Sequence, residues 1–384
     1  MSDGVVIQSI IQMVRDHYQT QDFIPLHAPV FRGNEKEFVT ETIESTFVSS
    51  VGSFVDRFEQ DMAQYTGSPR AVAVVNGTAA LHLALKLAGV QQNDLVITQP
   101  LTFVATCNAI HYCGADPVFI DIDRHTLGLS PTAMETWLES EAFIDDQGYC
   151  RHRDSNRIIR ACVPMHTFGH PADLHGLILV CQKWHLALVE DAAESLGSLY
   201  HGRHTGTFGL LGTLSFNGNK IITTGGGGML LAGEEIGARA KHLSTTAKLP
   251  HAYEYEHDEV GYNYRLPNLN AALGCAQLLQ LNEFIEEKRQ LAAYYQDFFH
   301  TTNYSFISEP EGCRSNYWLN AIICPDPEAR NHLLETTNNK NVMTRPVWKL
   351  MHQLNIYNTC LRGDLSNSEF ISERLVNLPS SIKN

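Results

Sequence analysis

The sequence has few basic residues and no long apolar run. Of its 384 residues, 28 are Lys or Arg and 42 are Asp or Glu, which gives a formal net charge of −14. Such an acidic chain is a poor candidate for a general binder of nucleic acid or of anionic membranes. Because no stretch reaches about 18 consecutive apolar residues, we expect no transmembrane helix and no membrane partner.

The sequence also lacks a secretion signal and the closely spaced cysteine pairs of a zinc-binding motif. Its nine cysteines are odd in number and scattered, and none are two or three positions apart. That pattern is typical of reduced, mostly buried thiols, so no metal site is expected. Asp3 stands where a signal peptide would be basic, and Arg15 and Asp16 end the first apolar stretch. We therefore predict a cytoplasmic protein.

What the sequence does contain is the composition of an ordinary globular protein, with 43% hydrophobic and 18% charged residues. Helical periodicity at 5–18 predicts an N-terminal helical extension, assigned to residues 1–23. From about 71 to 232, apolar runs of strand length alternate with helical segments, which predicts an α/β fold with a mostly parallel central sheet. One long helix is expected from Asn268 to about Tyr295. We assign a large domain to 24–255 and a smaller C-terminal α+β domain to 256–384.

The first chemical feature follows an apolar run at 71–75. Asn76-Gly77-Thr78 ends this strand and begins a helix. Free backbone N–H groups and the helix dipole create an anion site at such a position, and the Thr78 hydroxyl adds a donor. The alternative is that these residues form only a turn and a helix N-cap.

The second feature is an acidic residue at the end of a buried strand. The run 186–189 leads directly into Glu190 and Asp191. A buried carboxylate is costly unless a cation pairs with it, and a protonated pyridine nitrogen would be such a cation. Alternatively, Asp191 is a helix N-cap.

The third feature is a lysine between a short strand and a run of glycines. Lys220 follows the apolar run that ends near Ser215 and precedes four glycines at 225–228. A buried lysine is a potential nucleophile, whereas the alternative is an exposed loop lysine. An anion site, a strand-end acid and a reactive lysine together match what pyridoxal 5'-phosphate requires.

Five local strings are specific enough to indicate a family: Val48–Gly52, Asn76–Leu81, Glu190–Glu194, Ser215–Lys220 and Gly261–Arg265. In these strings the chain resembles the DegT/DnrJ/EryC1/StrS family of nucleotide-sugar aminotransferases, a branch of the fold-type-I pyridoxal-phosphate enzymes. The resemblance extends from about Ile24 to Pro379.

The resemblance implies a role for each matching position. Lys220 would be the Schiff-base lysine and proton shuttle, and Asp191 would bond the pyridine nitrogen. Glu194 stands near the ring's phenolic oxygen, where the family often has Gln or His. The remaining cofactor contacts would be Phe103 stacked on the ring, Gly77, Thr78 and Ser215 at the phosphate, and Asn263 reaching the phosphate of the neighbouring subunit of a homodimer. Phe103 could instead be a core residue.

The resemblance also implies a substrate class. The Asn217–Lys220 string is similar to the branch that aminates nucleotide-linked 4-keto-6-deoxy N-acetylhexosamines, with L-glutamate as donor. Relatives that dehydrate the sugar have histidine at the lysine position, so Lys220 favours transamination. Two alternatives remain: a silent sensor that binds pyridoxal phosphate, and an enzyme of small amino acids in which Arg345 clamps a carboxylate. Arg265 is either a helper at the phosphate or part of a structural salt bridge.

Overall fold

The computed structural model describes residues 3–383. Its strands are β1 (Arg70–Val74), β2 (Leu95–Thr98), β3 (Asp116–Phe119), β4 (Ala142–Ile144), β5 (Cys150–His152), β6 (Ile159–Val163), β7 (Ala187–Asp191), β8 (Leu199–Tyr200), β9 (Arg203–His204), β10 (Leu211–Ser215), β11 (Gly228–Ala232), β12 (Ser305–Phe306), β13 (Cys313–Arg314), β14 (Asn320–Ile323), β15 (Arg345–Pro346) and β16 (Leu375–Leu378).

The α-helices alternate with the strands in the first two thirds of the chain, as the periodicity predicted. They are α1 (Asp3–Tyr18), α2 (Glu35–Glu44), α3 (Ser53–Thr66), α4 (Gly77–Leu87), α5 (Val104–Tyr112), α6 (Pro131–Glu141), α7 (Leu174–Lys183), α8 (Glu234–Ser244), α9 (Asn268–Leu278), α10 (Leu281–Phe299), α11 (Pro327–Asn339) and α12 (Ser366–Ser372).

The large sheet has seven strands in the order β1-β11-β10-β7-β6-β2-β3. Its strands are mutually parallel except β11, which runs antiparallel to both of its neighbours. Helices cover both faces, so alternate residues of one strand enter different cores. In β1, Val72 and Val74 pack with α4, α5 and α8, whereas Ala71 and Ala73 pack with α3 and α9. This confirms the predicted fold class.

The small sheet is antiparallel, in the order β12-β14-β16-β15. Helix α1 packs against it: Ile7, Ile10 and Val14 are fully buried in one cluster with Val376 and Leu378 of β16. The N-terminal helix is thus part of the core around the small sheet. The predicted boundary between 255 and 256 stays a prediction.

The prediction of one continuous helix from Asn268 to Tyr295 is wrong. Helix α9 ends at Leu278 and α10 begins at Leu281. Neither Pro nor Gly lies at the break. Instead, the side-chain amides of Gln277 and Gln280 both donate to Oε1 of the buried Glu35, at 2.6 and 2.7 Å. These tertiary hydrogen bonds fix the turn between the two helices.

Two further expectations concern the cysteines and the membrane. Seven of the nine cysteines are buried, as expected of small apolar side chains. Among residues 3–383, no helix combines the length and the apolar character needed to cross a bilayer.

Candidate active site

The candidate site lies at the carboxyl ends of β1, β10 and β7, which point in one direction. Ligands of open α/β sheets bind at this edge. A cavity of about 320 Å³ opens here. It brings together seven of the eight predicted site residues: Gly77, Thr78, Phe103, Asp191, Glu194, Ser215 and Lys220.

One end of the cavity is formed by the first turn of α4. Asn76 caps this helix, since its Oδ1 accepts a hydrogen bond from the Ala79 N–H at 2.8 Å. A Cβ on Gly77 would lie 2.9 Å from the Cβ of Ser215, so only glycine fits between the two loops. These residues do form the turn and the N-cap, and Gly77 and Thr78 at the N-terminus of α4 also line the cavity. The position suits an anion, and the phosphate role of this turn stays a prediction.

Asp191 is a buried acid at the end of β7, with 2% of its surface exposed. Thr106 donates to its Oδ2 at 2.7 Å, and the Ala193 N–H donates to its Oδ1 at 3.2 Å. Burial raises the pKa of Asp191, although these two donors and Lys220 oppose the rise. The chain continues through turns into β8, so the helix N-cap interpretation of Asp191 is wrong.

Lys220 is largely buried, with 12% of its side chain exposed, which excludes the exposed-loop interpretation. Its Nζ lies 3.2 Å from Oε1 of Glu194. The same Nζ lies 4.0 Å from the centre of the Trp318 ring, a cation–π contact. The nucleophile predicted from the sequence therefore has an acid on one side and an aromatic ring on another.

Glu194 is fully inside the protein, at 2% exposure. Its Oε2 accepts the N–H of Phe168 at 2.9 Å, and Phe168 has a left-handed backbone with φ 57°. Burial raises the pKa of Glu194 to about 7, against the lowering effect of Lys220 and the Phe168 amide. A carboxyl with this pKa can hold or release a proton next to Lys220 near neutral pH.

Glu190, the neighbour of Asp191, has a structural role. It is completely buried and accepts the N–H groups of Gly206, Phe208 and Gly209. His166 completes the set: its Nδ1 accepts the Ala172 N–H, so Nε2 carries the proton and donates to Glu190 at 3.1 Å. Burial opposes ionisation of Glu190, but the His166 bond and the amides outweigh it and lower its pKa. This network holds the end of β7.

Two tryptophans that the sequence analysis missed also line the cavity. Trp318 precedes β14, and its Nε1 donates to the carbonyl of Asn219 at 2.7 Å. Its own carbonyl accepts from Lys288, a buried lysine whose Nζ also donates to the Ser380 carbonyl. Trp348 follows β15 and lies 6.2 Å from the Phe103 ring. Phe103 is 48% exposed, so the core interpretation of this residue is wrong.

Three polar residues lie outside the cavity of their own chain. Asn263 forms a bridge with Thr245, and its Oδ1 accepts from the Arg265 guanidinium. Arg265 lines a different hollow, of about 160 Å³. Arg345 donates to Oδ1 of Asn338 and to the Thr344 carbonyl, and its side chain does not line the cavity around Lys220.

Comparison with known proteins identifies the family. The profile of the DegT/DnrJ/EryC1/StrS aminotransferase family matches residues 30–383. The chain is 36% identical to EpsN of Bacillus subtilis, provisionally assigned as a pyridoxal phosphate-dependent aminotransferase, over 88% of this chain and 84% of EpsN. It is 35% identical to GDP-perosamine synthase of Escherichia coli O157:H7 over 93% of each.

A solved structure agrees with these sequence relatives. The aminotransferase TlmJ from Streptoalloteichus hindustanus superposes with a TM-score of 0.84 at 28% identity, covering 93% of each chain. The cavity fits pyridoxal phosphate, because it combines an anion site at α4, a buried acid and a lysine amine. The chain therefore belongs to the DegT/DnrJ/EryC1/StrS aminotransferase family and is a pyridoxal-phosphate-dependent aminotransferase.

Proposed function

We propose that this enzyme transfers the amino group of L-glutamate to the 4-keto carbon of a nucleotide-linked 4-keto-6-deoxy sugar, in the cytoplasm. The observation that carries the proposal is the pairing of Lys220 with Glu194 inside the cavity. The chain is also 35% identical to two GDP-perosamine synthases along 93% of its length. Perosamine is a 4-amino sugar, so the resemblance supports amination at this carbon.

Each cavity residue then has a defined task. Gly77, Thr78 and Ser215 would hold the phosphate, and Phe103 would pack on the ring. Asp191 would keep a positive charge on the pyridine nitrogen, and the bound cofactor would supply an electron sink. Nζ of Lys220 takes and returns the proton that must move in each half-reaction, because it is the base within reach.

Two substrates are candidates within this class. The Asn217–Lys220 string favours an N-acetylhexosamine, whereas similarity to GDP-perosamine synthases favours a GDP-linked 4-keto-6-deoxyhexose without the N-acetyl group. Both share the 4-keto group and the 6-methyl group, so the same catalytic residues serve either one. The nucleotide and the substituent at C2 distinguish them.

We propose that the enzyme is a homodimer with shared active sites. Asn263 lies away from the cavity of its own chain, as expected of a residue that serves the partner's phosphate. Large apolar side chains are exposed in the nearby segments 47–51 and 253–260, and a second copy would cover them: Phe47, Val51, Tyr253, Tyr255 and Val260.

The test is a panel of GDP-, UDP- and dTDP-linked 4-keto-6-deoxy sugars, with and without a 2-acetamido group. Each is incubated with the holoenzyme and L-glutamate, and 2-oxoglutarate and the aminated sugar are quantified together. We expect stoichiometric formation of both from at least one panel member, and none with Lys220→Ala. Cofactor binding without turnover of any member would favour the sensor alternative and overturn the proposal.

A further inference from the structure

Three aromatic side chains line one side of the cavity, and the proposed chemistry gives a role to only two of them. Trp318 is 4% exposed and contacts Lys220, and Phe103 is assigned to the cofactor ring. Trp348 also lines the cavity and is partly exposed, but it has no assigned task. An apolar ring left open to a ligand cavity is a contact surface for the ligand.

Trp348 is held in a fixed position by its surroundings. Its ring packs on the buried ring of Phe168 at 5.4 Å and 39°, and on Phe103 at 6.2 Å and 61°. On either side in the chain, Val347 is 5% exposed and Leu350 is fully buried in the core. Because its neighbours are anchored, the indole does not have to be ordered when a ligand arrives, which favours binding.

The two kinds of lining match the two kinds of surface on a hexose. The polar groups Asp191, Glu194 and Lys220 come from the edge of the large sheet, whereas the tryptophans come from segments beside the small sheet. A pyranose ring presents polar oxygens at its rim and apolar C–H groups on its face. A 6-deoxy sugar adds a methyl group, which increases the apolar surface that an indole can cover.

We propose that Trp348 is the platform on which the hexose of the nucleotide sugar stacks, so that it determines affinity for the sugar and not for the nucleotide. This inference rests on the proposed function and adds the residue that recognises the hexose. Trp348 is a substrate-contact residue, distinct from Trp318, whose ring is occupied by Lys220.

The experiment compares ligands with and without the hexose. Isothermal titration of the enzyme loaded with pyridoxamine phosphate, with which an amino sugar cannot condense, measures the Kd of GDP and UDP, and of GDP- and UDP-linked 4-amino-4,6-dideoxyhexoses, the products of the proposed reaction. For each nucleotide, the Kd of the free nucleotide divided by the Kd of the nucleotide sugar gives the contribution of the hexose to affinity. Trp348→Ala should reduce this ratio by roughly three- to tenfold and leave nucleotide affinity unchanged, whereas Trp348→Phe should retain most of it.

The control is Trp184→Phe, which changes a tryptophan buried under β2 and β6 away from the cavity. It should leave the ratio unchanged, and melting temperatures check the fold of every variant. An unchanged ratio in Trp348→Ala, or an equal loss of affinity for the nucleotide and for the nucleotide sugar, would overturn the role of Trp348. Turnover of a keto sugar would still support the proposed function in that case. A wild-type enzyme for which the hexose adds no affinity would likewise overturn the role of Trp348, whereas the proposed function is decided separately by turnover of the keto-sugar panel.

Discussion

Lys220 and Glu194 form a buried pair in which Nζ and Oε1 are 3.2 Å apart. Burial raises the pKa of the Glu194 carboxyl, whereas the hydrogen bond from Lys220 and its positive charge act in the opposite direction. The family often has Gln or His at the Glu194 position, and a glutamine has no ionisable group to offer there.

We expect Glu194→Gln to remove a pH dependence of stability. Burial raises the folded pKa of Glu194 from 4.5 to about 7. Between these values the folded state keeps a proton that the unfolded state has lost, so stability falls as pH rises from 4.5 to 7. Between pH 5 and pH 7.5, the difference in unfolding free energy between wild type and Glu194→Gln should change by roughly 2–3 kcal/mol. Urea unfolding of the apoenzymes at pH 5 and pH 7.5 measures it; parallel pH profiles would exclude the raised pKa.

Lys220→Ala should abolish turnover and the covalent attachment of the cofactor. The variant removes the lysine amine that lines the cavity, so borohydride should no longer fix the cofactor to the protein. Mass spectrometry after reduction measures attachment. The matched control is Lys183→Ala, at a surface lysine paired with Glu135 and Glu139, which should label like wild type. Labelling or turnover in Lys220→Ala would remove Lys220 from the mechanism.

Asp191→Asn should bind the cofactor but turn over at least about 100-fold more slowly. A neutral amide cannot stabilise positive charge on the ring nitrogen, although the hydrogen bond from Thr106 to the side-chain oxygen can remain. Cofactor content by absorbance and the initial rate with glutamate separate binding from chemistry. Rates close to wild type would assign Asp191 a purely structural role.

Subunit mixing tests the assignment of Asn263 to the partner's site. If Asn263 reaches the partner's phosphate, Asn263→Asp would place a negative charge there and should inactivate the enzyme, as Lys220→Ala should. In a hybrid dimer of the two variants one site has both residues intact, so mixing should restore part of the activity. Exchange is verified by native mass spectrometry. If exchange occurs and activity does not return, Asn263 does not act across the interface.

Lys288 should make stability depend on pH in the opposite direction from Glu194. It is 1% exposed and donates to the carbonyls of Trp318 and Ser380. Burial lowers its pKa from 10.5 to about 7, so between these values the unfolded state binds the proton and stability rises with pH. Relative to Lys288→Met, wild type should gain about 2–3 kcal/mol between pH 7 and pH 9. Equal gains in both proteins in urea titrations would contradict a depressed pKa.

Local sequence signals predicted much of the fold and of the polar side of the site. Apolar runs followed by Asn76, Asp191 and Lys220 mark three strand ends, and parallel strands bring such ends to one edge. The reversed direction of β11 could not be read from its sequence, because an apolar run buried on both faces looks the same in either direction. Trp318 and Trp348 were missed because no local motif assigns either residue to a site, and only tertiary packing brings them to the cavity that contains Lys220.

The position of Trp318 in the chain determines how much of the protein must be synthesised before the surroundings of Lys220 are complete. Trp318 lies beside β14, which pairs with β16 at Leu375–Leu378, and its carbonyl shares Lys288 with that of Ser380. The surroundings of Lys220 are therefore finished only after a segment far downstream has been synthesised and has paired. A nascent chain that already contains the whole large sheet, whose last strand ends at Ala232, still lacks Trp318, the cation–π partner of its nucleophile.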